Sequence, residues 1–146
     1  MEKFSDQIKD WTTKVKAKNE KQCRAIALDL FARVVKATPV GKPWTWKHPP
    51  KPGSGYVGGR ARGNWYVMLG KSPAVVDITD NKIDDASAAQ AHVVRQLQKF
   101  NMENPVWLTN GLPYIHRLEY DSWSKQAPNG MVRVSMTEIG AIVRES

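Results

Sequence analysis

The sequence has a single cysteine, Cys23, so the chain can close no disulfide on itself and cannot assemble a multi-thiolate metal site. The thiol reads as a small, buried, apolar side chain. No apolar run approaches the roughly 20 residues needed to cross a bilayer. The first residues, Met1-Glu2-Lys3-Phe4-Ser5-Asp6, lack the charged-then-apolar pattern of a secretion signal, and the expectation is a protein made in the cytosol. Acidic residues are missing altogether from 41–72, where six Lys and Arg residues stand. Positions 1–40 hold nine basic and five acidic side chains and 73–146 hold seven and nine, so the net charge of +8 is concentrated before residue 73. No internal repeat and no linker between two cores is visible.

What is present is an ordinary globular balance, 41% hydrophobic and 25% charged residues in a chain of 146, enough for a single domain over 1–146. Phe4, Ile8, Trp11, Val15, Cys23, Ile26, Leu30 and Val34 recur at helical steps and predict one long amphipathic helix that stops at Thr38-Pro39. Such a helix reaches about 50 Å, more than a compact domain of this size covers. It is therefore expected either to bend near Asn19 or to pack in part on a neighbouring subunit.

Residues 41–59, rich in Pro, Gly and Trp, carry too many breakers for a helix or a central strand and read as a long loop insertion. Arg62–Leu69 and Ala74–Thr79 flank Gly70-Lys71-Ser72-Pro73 and predict a hairpin. A second helix is expected over Ala88–Phe100, with Asp85 and Ser87 as caps. Val106–Thr109, turning at Asn110-Gly111, predicts a further strand, and Leu112–Tyr120 a short helix. The apolar set from Met131 to Val143 predicts a last helix. The fold class that follows is α+β: a long N-terminal helix and one or two further helices packed on a small, mainly antiparallel sheet.

Chemical motifs are weak. Gly53-Ser54-Gly55-Tyr56-Val57-Gly58 has the glycine spacing of a dinucleotide fingerprint but neither the strand before it nor the helix after it. Gly70-Lys71-Ser72 ends like a phosphate loop, yet Trp65 occupies the position of its first glycine. His116 and Glu119 could share a helix face as a metal pair does, but further ligands are lacking and a structural ion pair fits better. A hydrolytic trio with Ser122 has no nucleophile elbow around it. The residues thus supply no catalytic group, metal ligand or cofactor site.

The interleaving of Lys42, Trp44, Trp46, Lys47, His48, Lys51, Tyr56, Arg60, Arg62, Trp65 and Tyr66 says more. Cationic side chains beside aromatic faces suit a nucleic-acid groove, where lysines neutralise phosphates and rings stack on bases. The same residues dominate protein interfaces. Composition leaves these two readings open.

Four blocks bear a family resemblance. Thr38-Pro39-Val40 is followed by Gly59-Arg60-Ala61-Arg62-Gly63-Asn64-Trp65, then by Asn110-Gly111-Leu112-Pro113-Tyr114-Ile115-His116-Arg117-Leu118-Glu119-Tyr120, and last by Ser124-Lys125-Gln126-Ala127-Pro128 with Gly130-Met131-Val132. In this order they resemble the tail-completion, or minor tail-component, proteins of long-tailed bacteriophages, of the kind called protein Z in lambda-like phages. The resemblance implies a non-enzymatic virion subunit without cofactors, forming a sixfold ring at the head-proximal end of the tail. The implied partners are further copies of the chain, the adjacent tail-terminator or tail-tube protein, head-completion proteins and the DNA passing through the channel.

The sequence departs from the family pattern between Val40 and Gly59, where relatives pass from turn to strand in a few residues. Trp44, Trp46, Lys47, His48, Tyr56, Arg60, Arg62 and Trp11 are the expected interface residues, and Glu119 is expected to pair with Arg60, Arg62 or Arg117. Loops of this length in compact domains are usually functional. Deleting residues 43–57 should leave a folded protein, by circular dichroism, that fails to complete virions; a deletant yielding normal titres of infectious particles contradicts this.

Overall fold

The computed structural model describes residues 4–42, 48, 51, 58–70, 76–79, 82, 83 and 86–145. In chain order the elements are α1 (Phe4–Ala37), α2 (Arg60–Gly63), β1 (Trp65–Leu69), α3 (Ala86–Leu97), β2 (Val106–Asn110), α4 (Ile115–Tyr120) and α5 (Val132–Glu145). The architecture is α+β, with helices gathered on a small antiparallel sheet. Among the described residues no helix is long and apolar enough to cross a membrane.

Helix α1 runs unbroken for 34 residues, so Asn19 does not interrupt it. Its expected single apolar stripe divides into two. The body of the protein buries Ala27, Phe31, Ala32, Val34 and Val35, whereas Phe4, Ile8, Trp11 and even Ile26 remain exposed. At 100° per residue, the Phe4–Val15 stripe lies about 150° around the helix from the face that enters the core. The chain therefore cannot cover that stripe with the surface that covers the rest of α1, and the N-terminal half projects as an arm.

Helices α3 and α5 pack along the C-terminal half of α1, and α3 also contacts β1. Val93, Leu97 and Phe100 meet Phe31, Val34, Val35, Leu118 and Met131 in one core. Arg33 ties α1 to α5 by bridging Asp29 at 2.8 Å and Glu138 at 2.7 Å.

The sheet differs from expectation. Strand β1 pairs with β2, antiparallel, with Val67 opposite Leu108 and Leu69 opposite Val106 on the core side. Residues 76–79 form no strand, and 71–75 lie outside the described residues. The physical reason is visible at Thr79. Its N–H donates to Asn64 Oδ1 at 2.8 Å and its carbonyl accepts from Asn64 Nδ2 at 3.0 Å, so a side-chain amide takes the groups a hairpin ladder would use. The connection between the strands instead passes through α3, whose buried His92 donates from Nε2 to the Trp65 carbonyl at 2.7 Å.

The end of α1 is held by a chain of buried hydrogen bonds. Trp65 Nε1 donates to Thr38 Oγ1 at 2.8 Å, and that hydroxyl donates to the Val34 carbonyl at 2.7 Å. Thr38 and Trp65 are both buried, so neither group can turn to water instead. Replacing Thr38 with Val keeps the shape but orphans the indole N–H, and should destabilise the protein by about 1–3 kcal/mol. Urea unfolding checks it. The midpoint should fall with an unchanged slope, and adding Trp65→Phe should recover part of the loss; an unaltered midpoint for Thr38→Val contradicts the assignment.

Candidate interface surfaces and the junction behind them

The four sequence blocks meet at one end of α1 and hold one another by hydrogen bonds. Thr38 receives the Trp65 indole, and Arg62 donates to the carbonyls of Thr38 and Lys36, both at 2.8 Å. A guanidinium on the last carbonyls of a helix satisfies acceptors that the helix itself leaves open and faces the negative end of its dipole. Asn110 Nδ2 donates to the Ala61 carbonyl at 2.9 Å, joining the third block to the second. Gln126 joins the fourth to the first, accepting from Val40 N at 3.1 Å and donating to Val40 O at 2.7 Å. Gly59, with φ 102°, closes the turn into α2, and a Cβ there would sit 2.7 Å from the Ile83 carbonyl.

Glu119 makes the tightest of these joints. Its carboxylate accepts from the backbone N–H groups of Met131 at 2.7 Å, Val132 at 2.9 Å and Arg133 at 3.0 Å, and from Arg133 Nε at 3.2 Å. The Arg133 guanidinium also donates to the Glu119 carbonyl. A carboxylate brought from another helix thus caps the N-terminus of α5, whose own sequence starts with no capping side chain. The approach requires Gly130. It holds φ 88°, and a Cβ would lie 2.8 Å from Glu119 Cδ and Oε1.

This corrects two expectations. Glu119 pairs with Arg133, not with Arg60, Arg62 or Arg117, because the donors it serves are the first amides of α5. Arg62 is turned inward onto the end of α1 and so is not a free interface residue. Arg117 lies over the Trp123 ring at 5.8 Å.

Of the remaining interface candidates, Trp44, Trp46, Lys47 and Tyr56 lie outside the described residues. His48 and Arg60 are exposed. Trp11 is 66% exposed on the arm, beside Phe4 at 76%. A surface that the sequence reading missed lies around α4. Tyr120 and Trp123 are exposed, with the Arg133 guanidinium 4.9 Å from the first ring and the His116 ring 4.6 Å from it. Between them Ser122 holds a left-handed backbone, φ 49°, fixed by its hydroxyl donating to Pro128 O at 2.6 Å. Tyr120 and Trp123 stand on either side of that turn, both more than half exposed, with the Trp123 ring 6.0 Å from that of Tyr114. Tyrosine, tryptophan and arginine together are the composition of an interface hot spot.

The residues weighed for chemistry are used otherwise. Ser122 is committed to Pro128, and no hydrogen bond joins it to His116. Among the described residues no group of three His, Cys, Asp or Glu side chains is arranged to hold a metal ion. Comparison of the chain with protein families, with curated proteins and with solved structures finds no match.

Glu119 links this geometry to pH. Burial pushes its carboxyl upward, but the three backbone donors and Arg133 outweigh burial and hold it below the ordinary glutamate value of 4.5. A carboxyl lowered on folding contributes stability above its unfolded value and loses it as pH falls through the folded one. Glu119→Gln should therefore cost about 2 kcal/mol or more near neutrality, and the gap to the native chain should close in acid, below about pH 4.5. Thermal unfolding of both proteins across pH measures this; a gap that stays constant into acid contradicts the capping role.

Proposed function

We propose that the chain is a structural subunit of a long-tailed bacteriophage virion, completing the tail at its head-proximal end and helping to join it to the head. The observation that carries this reading is the convergence of the four family-like blocks. Residues far apart in sequence, from Thr38 to Val132, meet in one hydrogen-bonded junction at the end of α1, as blocks that specify a shared fold should. The division of the surface supports the same reading. Polar groups of the junction are spent inside the molecule, whereas the large apolar side chains left outside, Phe4, Trp11, Tyr120 and Trp123, suit contact with protein.

In this proposal the subunit forms a ring, sixfold by resemblance, whose closing contacts need two different faces on each protomer. The arm of α1 and the 41–59 segment are the two faces offered. The neighbouring tail-terminator or tail-tube protein and the head-completion proteins cover the ends of the ring, and DNA passes along its channel. The subunit works without catalysis or cofactor, and its place is the neck of the virion.

The second reading, a nucleic-acid groove on 42–66, is weakened by one observation: Arg62, in the middle of its basic series, spends its guanidinium on carbonyls of its own chain. Extract complementation separates the two. Phage lacking the chain should accumulate filled heads and unjoined tails, and adding the purified protein to that extract should restore infectious particles. Restoration that fails, together with tight DNA binding that weakens steeply with salt, would move the assignment to the nucleic-acid reading.

A further inference from the structure

The two-stranded sheet has two edges, and the fold treats them differently. In an antiparallel pair, alternate residues of a strand turn both backbone groups toward the partner strand, and the residues between turn theirs outward. Gly70 N–H donates to the Pro105 carbonyl, which sets the phase: Met68 with Trp107 and Tyr66 with Thr109 are the hydrogen-bonded pairs. Trp65 and Val67 of β1, and Val106, Leu108 and Asn110 of β2, therefore turn their backbone groups outward. On β1, helix α3 answers them from two side chains one turn apart. His92 donates to the Trp65 carbonyl at 2.7 Å, and Gln96 accepts from the Val67 N–H. On β2, among the described residues, no helix lies alongside as α3 lies beside β1, and no group bonds to the backbone N–H or carbonyl of Val106, Leu108 or Asn110.

The usual protections of a bare edge are missing as well. Natural edge strands carry lysine or another charge, a proline, or a bulge that twists the edge away. Val106–Asn110 holds neither a charge nor a proline, and its pairing with β1 is regular at every position.

We infer that this edge receives the β2 edge of a second copy, antiparallel about a two-fold axis through Leu108, so that the two small sheets join into one. The outward groups select both occupant and register. Donors and acceptors alternating along an extended strand are met by another extended strand. Val106, Leu108 and Asn110 are placed symmetrically about their centre, so β2 supplies its own complement: Leu108 exchanges both backbone bonds with the second copy's Leu108, and Val106 with its Asn110. Any other register of the same alternation leaves outward groups at one end unanswered. On the outer face Trp107 lies opposite Thr109, a favourable cross-strand pair of an aromatic ring and a β-branched side chain. On the inner face Leu108 meets Leu108 and extends the apolar surface that Val106 and Leu108 already present to the core. No charged side chain stands between Pro105 and Gly111, so the two copies bring no like charges together in the paired strands. A contact of one short strand falls below the roughly 1,200 Å² of a stable interface, so the pair is weak and fills at hundreds of micromolar. It rests on the sheet alone and does not depend on the neck reading.

Amide exchange resolved by NMR on the full chain, dilute and concentrated, tests it, with sedimentation equilibrium on the same samples. The Leu108 amide should exchange freely at tens of micromolar and several-fold more slowly near millimolar, as the mass rises from 16.5 kDa toward twice that value. The amides of Tyr66, Met68, Trp107 and Thr109, held in the β1–β2 ladder, should be slow in both samples and report an intact sheet. Val106→Pro removes an outward N–H and spares that ladder, and Trp107→Lys sets two lysines diagonally across the axis. Each should restore free exchange at Leu108 in the concentrated sample. A Leu108 amide that exchanges freely near millimolar overturns the inference. So does one already protected in the dilute 16.5 kDa chain, because the chain itself would then cover the edge. Protection at high concentration that survives both variants belongs to another surface and overturns it equally.

Discussion

The carboxylate of Glu119 at the N-terminus of α5 is the interaction on which the arrangement of the remaining elements depends. The first amides of a helix have no partners within it, and at a buried end they must find an acceptor or lose their hydration without return. Here Glu119 comes from α4, so meeting that demand fixes α4 against α5. Leu118 and Met131, on either side of the joint, then enter the same core as Phe31, Val34 and Val35 of α1. The polar joint sets the geometry, and apolar burial around it supplies most of the driving force.

From that joint the other contacts follow in sequence. Helix α5 lies along α1 and is pinned there by Arg33 between Asp29 and Glu138, a pair of exposed bridges worth little alone but consistent in direction with the packing beneath them. Thr38, Arg62 and Trp65 finish α1 where α5 begins. The body thus grips only the C-terminal half of a 34-residue helix. What remains is an arm with an apolar stripe on the side away from the body, where Phe4, Ile8 and Trp11 stand exposed.

Much of this was readable before any coordinates. The long helix, its stop at Thr38-Pro39, the last two helices and the α+β class follow from period and breakers, because those signals are local. The pairing of β1 was not readable, since the hairpin expected across Gly70-Lys71-Ser72-Pro73 was forestalled by the Asn64 side chain taking the backbone of Thr79. The partner of Glu119 was missed for a similar reason. Arginines near in sequence are the usual partners of a carboxylate, whereas the demand here comes from the backbone of a helix 12 residues downstream, signalled by Gly130 just before an uncapped helix start. Along α1, the two ends of the expected stripe, Phe4 and Val34, lie about 120° apart around the helix, because small departures from the 3.6-residue period accumulate over 34 residues. Of the interface candidates, Trp11 stands exposed, Arg62 is turned inward, and the Tyr120–Trp123 surface was invisible because it arises from the left-handed turn at Ser122.

The central claim is that the large side chains outside this junction meet other protein chains in an assembled particle. Electron cryo-microscopy of purified virions, with the chain tagged at its N-terminus, addresses it directly. The account predicts tag density in a ring between head and tail, with Phe4 and Trp11 covered by neighbouring subunits. Particles that carry no copy of the chain, or a ring in which that stripe faces solvent, would contradict it.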